Sequence, residues 1–133
     1  MAGIFSKIVA GEIPAHIVAE DANFLAFLDV APLAKGHVLV IPKKEVDYIF
    51  DLDPELYSGI FLFAQKVAKA IEAVIPCKKI GIAVIGLEVP HAHVHLVPIN
   101  VVGDINFTKQ KLQPTTSELS EIAAKIKVAY QSY

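Results

Sequence analysis

Apolar residues recur along this chain with two different periods, and the change of period marks out its elements. From Pro54 to about Ile75 they fall every three or four positions, at Leu56, Ile60, Phe63, Ala64, Val67, Ala68, Ile71 and Val74, which is the spacing of one buried helix face. Asp53 offers a capping carboxylate, and Pro54 suits the first turn, where an N–H has no helical partner to lose. A second long helix is predicted after Thr115, which has capping-box spacing to Glu118 ahead of Leu119, Ile122, Ala123, Ile126 and Tyr130. A short helix is predicted from Phe5 to Ala10, closed by Gly11 in the left-handed conformation that often ends helices.

Between these lie runs of β-branched and aliphatic residues. Ile17 to Ala19 and Phe24 to Leu28 read as two strands around the turn Glu20-Asp21-Ala22-Asn23. His37 to Ile41 is a third, stopped by Pro42, which has no N–H to continue a ladder. Ile80 to Ile85 is a fourth and His91 to Val97 a fifth, and the short link through Gly86 and Pro90 makes them antiparallel neighbours. The order of short helix, three strands, long helix, two strands and terminal helix predicts an α+β architecture: about five strands, mostly antiparallel, with the long helix on one face. No Ser- or Gly-rich linker divides the chain, so residues 1–133 are expected to form one domain.

Composition narrows the function. A formal charge of -2 argues against a surface that coats nucleic acid, which needs clustered Lys and Arg, but leaves a small nucleotide open. No stretch approaches the roughly 20 apolar residues of a membrane span, and the opening Met1-Ala2-Gly3-Ile4-Phe5-Ser6-Lys7 lacks a long apolar run. No membrane association and a cytoplasmic location are therefore expected. The single cysteine, Cys77, makes no intrachain disulfide and no CxxC pair, and reads as an incidental residue near a helix end.

The fifth strand carries the chemistry. In His91-Ala92-His93-Val94-His95-Leu96-Val97 three histidines alternate with apolar residues, so period-2 geometry puts imidazoles on one face and core residues on the other. Each imidazole has two nitrogens to satisfy and titrates near pH 6.5, which makes the row costly as mere packing. One metal ion cannot easily gather all three: residues two apart on a strand are about 6.5–7 Å apart, whereas ligand nitrogens must sit about 2.0–2.1 Å from zinc. A site using two of them with His37 or Glu88 stays open. Nucleophilic catalysis uses the row more fully, with one neutral imidazole attacking phosphorus and a neighbour donating to the phosphate.

The run His91 to Val97 matches the His-φ-His-φ-His-φ-φ signature of the histidine triad (HIT) family of nucleotide hydrolases and transferases, where φ is apolar. The segments Ile4 to Ala15, Phe24 to Val30 and Gly36 to Lys44 also resemble that family, most closely its purine-nucleoside phosphoramidase (Hint-like) branch. The resemblance implies that His93 attacks the α-phosphorus and carries a transient nucleotidyl group, that His95 donates to the α-phosphate, and that His91 and His37 support the row, with no metal and no other cofactor. It implies further that Phe5, Ile8, Phe27, Val30 and Leu39 line a slot for the base, while Asp29 accepts from ribose hydroxyls. On periodicity alone those apolar residues are ordinary core, and Asp29 is a turn residue before Ala31-Pro32. A homodimer through the long helix and neighbouring strand is also implied.

The loop Gly86-Leu87-Glu88-Val89-Pro90 departs from the family pattern. Many relatives have a longer, Gly-rich connection with a Gln-Ser or Gln-Thr pair before the first histidine, and here Glu88 falls near the hydroxyl position. An ionised carboxylate there repels phosphate and a protonated one donates to it. Hydrolysis of nucleoside phosphoramidates is the leading expectation. Dinucleoside polyphosphate hydrolysis, transfer to an acceptor other than water, and nucleotide binding with little turnover stand behind it.

Overall fold

The computed structural model describes residues 3–132; Met1, Ala2 and Tyr133, part of the expected 1–133 domain, lie outside them. Along the chain come α1 (Ile4–Val9), β1 (Ile17–Glu20), β2 (Phe24–Leu28), β3 (Val38–Pro42), α2 (Pro54–Val74), β4 (Lys79–Ala83), β5 (Val94–Ile99) and α3 (Thr116–Tyr130). The strands form one sheet in the order β1-β2-β3-β5-β4, antiparallel at every step. This is the α+β arrangement expected from the order of the elements.

The capping residues act as the sequence predicts. Asp53 accepts from the Leu56 N–H at 2.8 Å, and Thr115 and Glu118 exchange hydrogen bonds of 2.9 and 3.1 Å at the start of α3. Gly11 follows α1 with a φ of 79°, which a side chain would strain.

Strand alternation sorts the sheet into two apolar layers. Phe24, Ala26, Leu28, Val38, Val40, Val94 and Leu96 face the core that contains Ile60, Phe63, Val67 and Ile71 of α2 and Leu119 and Ile126 of α3. Leu25, Phe27, Leu39 and Ile41 turn the other way and pack against Phe5 of α1. Burying one such Val, Leu, Ile or Phe contributes about 1.5–3 kcal/mol, and because both faces are covered β2 and β3 are buried throughout.

Most strand boundaries differ from expectation by a residue or two: β1 ends at Glu20, β3 runs Val38–Pro42, β4 starts at Lys79 and β5 ends at Ile99. Two more bear on the site, the end of β4 and the start of β5. β4 ends at Ala83 instead of Ile85; Val84 still packs against the core, Ile85 is exposed, and Gly86 turns the chain with a φ of 73°. β5 starts at Val94 instead of His91. Its register with β3 begins at Val40↔Val94, so residue 92 would next face Pro42, which has no N–H to offer. The Ala92 N–H instead donates to the Val46 carbonyl at 2.7 Å, and His91 and His93 lie on the approach to the strand. Among the described residues no helix is long and apolar enough to cross a membrane.

Candidate active site

Four histidines converge on the α1 side of the sheet. His95 sits in β5 opposite Leu39 of β3 and Ala83 of β4, His93 and His91 precede it, and His37 stands just before β3. All are buried, with exposures of 1% for His37 and His91, 6% for His93 and 7% for His95. Ala92, Val94 and Leu96 point into the opposite core, so the expected split between imidazole face and apolar face holds even though the first two histidines are outside the ladder. The ring centroids of His93 and His95 are 4.8 Å apart and those of His37 and His95 5.2 Å.

The hydrogen bonds fix which nitrogen of each neutral ring carries its proton. The Leu33 N–H donates to His37 Nδ1 at 3.0 Å, so the His37 proton is on Nε2. That N–H donates to His95 Nδ1 at 3.0 Å, which leaves the His95 proton on Nε2. His93 Nδ1 lies 2.7 Å from the His91 carbonyl oxygen; a carbonyl only accepts, so Nδ1 is protonated and Nε2 keeps its lone pair. His91 likewise donates through Nε2 to the Pro42 carbonyl at 2.8 Å, and its buried Nδ1 has no partner among the described residues. Burial, followed by the charges at His95, Lys111 and His93, lowers His37 to about 3. Burial and then His93 bring His95 down to about 4. For His91 burial outweighs the Pro42 carbonyl and again lowers the pKa. These three rings are neutral at neutral pH, as the hydrogen-bond pattern requires.

Of the apolar residues expected at the site, Phe5, Phe27 and Leu39 form one buried cluster with Ile8 packed against it. The Phe5 ring lies edge-on to Phe27, His91 and His93 at centroid distances of 5.5, 5.7 and 5.3 Å. Val30 is outside that cluster and 65% exposed. Asp29 is the turn residue that its sequence context suggests, accepting from the Ala31 N–H at 2.9 Å through Oδ1. Its Oδ2 reaches to 3.8 Å from His37 Nε2, which is no ion pair while His37 is neutral. Burial raises the Asp29 carboxyl, against the Ala31 N–H and the charges at His93 and Lys111, with a smaller upward push from Glu88. Glu88 itself is exposed.

Asp29, His37 and His95 place ligand atoms within 4.8 Å of one another. They fit a metal ion poorly. Coordination at His37 Nε2 would move the ring proton to Nδ1, where it would oppose the Leu33 N–H.

Three neighbours of the site were not legible as such in the sequence. Glu45 accepts from the Gly3 N–H at 2.8 Å and from Ser6 Oγ at 2.6 Å, holding α1 against the loop after β3. Phe107 lies edge-on to His95 with centroids 4.6 Å apart. Lys111 donates through Nζ to the carbonyls of Phe107 and Lys109. An isolated Phe in a polar stretch was the one available signal, and nothing in its spacing says which histidine it meets.

A buried, hydrogen-bonded row of imidazoles on an antiparallel sheet defines a histidine-triad class of site, and comparison with known proteins agrees. A HIT domain model matches residues 10–101. The chain belongs to the HIT family. It is 38% identical over 108 residues to the protein hit of Bacillus subtilis, covering 76% of this chain and 73% of that one. It is 42% identical over 100 residues to the adenosine 5'-monophosphoramidase hnt1 of Schizosaccharomyces pombe, covering 74% of each. Its fold is similar to the crystal structure of a Hit-like protein from Bartonella henselae, with a TM-score of 0.83, 32% identity and coverage of 96% and 95%.

Proposed function

We propose that this protein cleaves nucleotide conjugates at the α-phosphate through a nucleotidyl group carried on His93, and that nucleoside phosphoramidates are its leading substrate class. The observation that carries this reading is the opposite hydrogen bonding of adjacent rings: His93 Nδ1 donates to the His91 carbonyl while His95 Nδ1 accepts from His37, which in neutral rings sets a lone pair on His93 Nε2 beside an N–H on His95 Nε2. The S. pombe relative, named as an adenosine 5'-monophosphoramidase, supports the choice of substrate.

In the first step His93 Nε2 forms a bond to phosphorus. The P–N bond breaks, its electron pair goes to the leaving nitrogen, and that nitrogen takes a proton from water. The imidazolium so formed keeps its Nδ1–H on the His91 carbonyl, while His95 Nε2–H donates to a phosphoryl oxygen as charge develops there. In the second step water attacks phosphorus and gives up a proton to the hydroxide left by the first step, the P–Nε2 bond breaks with its electron pair returning to Nε2, and nucleoside monophosphate leaves with the histidine neutral again. Phe5, Ile8, Phe27 and Leu39 hold the base, Val30 closes the slot at its exposed rim, and Asp29 Oδ2 accepts from a ribose hydroxyl.

Phosphoramidate turnover by wild type and His93→Ala tests the assignment. A loss of about 10³-fold or more is expected, and equal turnover by the two proteins would end it.

Residues 1–133 act in this reading as one domain that pairs into a homodimer. Its contact is the face where α2 and the edge strand β4 leave Leu62 and Ile82 exposed at 65% and 56%. Light scattering in solution checks this, and a monomer at micromolar concentration would refute it.

A further inference from the structure

After β5 the chain makes an excursion and comes back onto the histidine row from outside. Asp104 anchors its start by accepting from the N–H groups of Asn100 and Val101. Leu112 ends it by donating to the Pro32 carbonyl at 2.9 Å, beside the loop that carries Asp29 and His37. Between these anchors Lys111 Nζ donates to Phe107 O at 2.6 Å and to Lys109 O at 3.2 Å, closing a turn in a stretch without helix or strand. The Phe107 ring then covers His95 at 4.6 Å and His37 at 6.2 Å, edge-on to both.

We propose that this segment is a strap for the donor half of the row, in which Lys111 and Phe107 are positioning residues that hold His37 and His95 as the hydrogen-bonded pair aiming His95 Nε2–H at the phosphoryl group. The proposal rests on the phosphoryl-transfer reading for what that N–H does, but the pairing itself is a property of the free protein.

The pair survives only while both rings are neutral. A proton on His95 Nδ1 would face His37 Nε2–H, and a proton on His37 Nδ1 would face the Leu33 N–H. Phe107 excludes the water that would solvate either imidazolium or compete for the bond between the rings. Lys111 holds the turn and also places its charge near His37, disfavouring a second charge there. The other charged or titratable groups facing the pair are His93, next to His95, and Asp29, whose Oδ2 is 3.8 Å from His37.

Side-chain ¹⁵N NMR titration of the nucleotide-free protein reads this directly, and kcat/KM for a nucleoside phosphoramidate against pH reads its consequence. In Phe107→Ala and in Lys111→Met the His37 and His95 titrations are expected to move up from about 3 and about 4 toward the ordinary 6.5. The acid limb of kcat/KM should move with them, and its value at pH 7 should fall about tenfold. Phe107→Leu, which keeps apolar cover, and Lys111→Arg, which keeps charge and donors, should restore both readouts. Titrations of Phe107→Ala and Lys111→Met that superimpose on wild type would overturn the strap, whatever happens to turnover. Titrations that move in a protein that cleaves no nucleotide conjugate would leave the strap standing and overturn the phosphoryl reading instead.

Discussion

The two halves of the histidine row are held in different ways. His93 and His91 donate to main-chain carbonyls, those of His91 and Pro42, and rest against Phe5 of α1. His95 depends on a side chain 58 residues away, His37, which in turn depends on the Leu33 N–H, and the pair rests against Phe107. The lone pair assigned to attack is thus set by backbone that no substitution removes, while the N–H assigned to donate is set by side chains that one substitution can delete. The proposed nucleophile is anchored locally, and its proposed partner through the tertiary fold.

This contrast predicts unequal losses. His37→Ala deprives His95 Nδ1 of its donor and leaves a buried Leu33 N–H unpaired, so kcat/KM for a phosphoramidate should drop about hundredfold, with about 1–3 kcal/mol of stability lost in denaturant titration. His91→Ala keeps the carbonyl that orients His93 and should cost about tenfold or less. Equal losses, or the reverse order, would break the distinction between the halves. A smaller effect follows from pH. His37, His91 and His95 all titrate below their ordinary 6.5 in the folded protein. Below that value the unfolded chain takes up protons that the fold refuses, so the stability these rings contribute is complete above about pH 6.5 and lost progressively toward pH 3–4. Asp29, raised in the fold, acts in the opposite sense at the acid end, where Glu45, Asp104 and Glu118, held low by their hydrogen bonds, add to the loss. Urea midpoints that stay level or rise between pH 7 and pH 4 would contradict neutral buried imidazoles.

Local pattern made most of the fold readable. The period of α2, the caps at Asp53 and Thr115 and the apolar runs of β2 and β3 are decided by neighbours within four residues, and each is present as expected. The histidine alternation gave the two faces correctly but overextended the strand, because where β5 begins depends on Pro42 across the ladder and on the Val46 carbonyl, neither of which is encoded near His91. The candidate site divides in the same way. The triad and His37 could be picked out from motif resemblance, and so could the cluster of Phe5, Phe27 and Leu39. Glu45, Phe107 and Lys111 could not, since each takes its meaning from a contact with a segment or a turn whose position only the folded chain sets. Val30 shows the converse: resemblance groups it with Phe5, Phe27 and Leu39, but it stands outside their cluster and is exposed.

The most direct test of the central claim is to trap the intermediate. Protein mixed with a nucleoside phosphoramidate is quenched in base, where phosphorus–nitrogen bonds to imidazole persist, and its peptides are fragmented in a mass spectrometer. The account predicts one nucleotidyl group, on His93, appearing during turnover and absent from His93→Ala. Turnover with the group on another side chain, or steady hydrolysis with no adduct at any time, would contradict it.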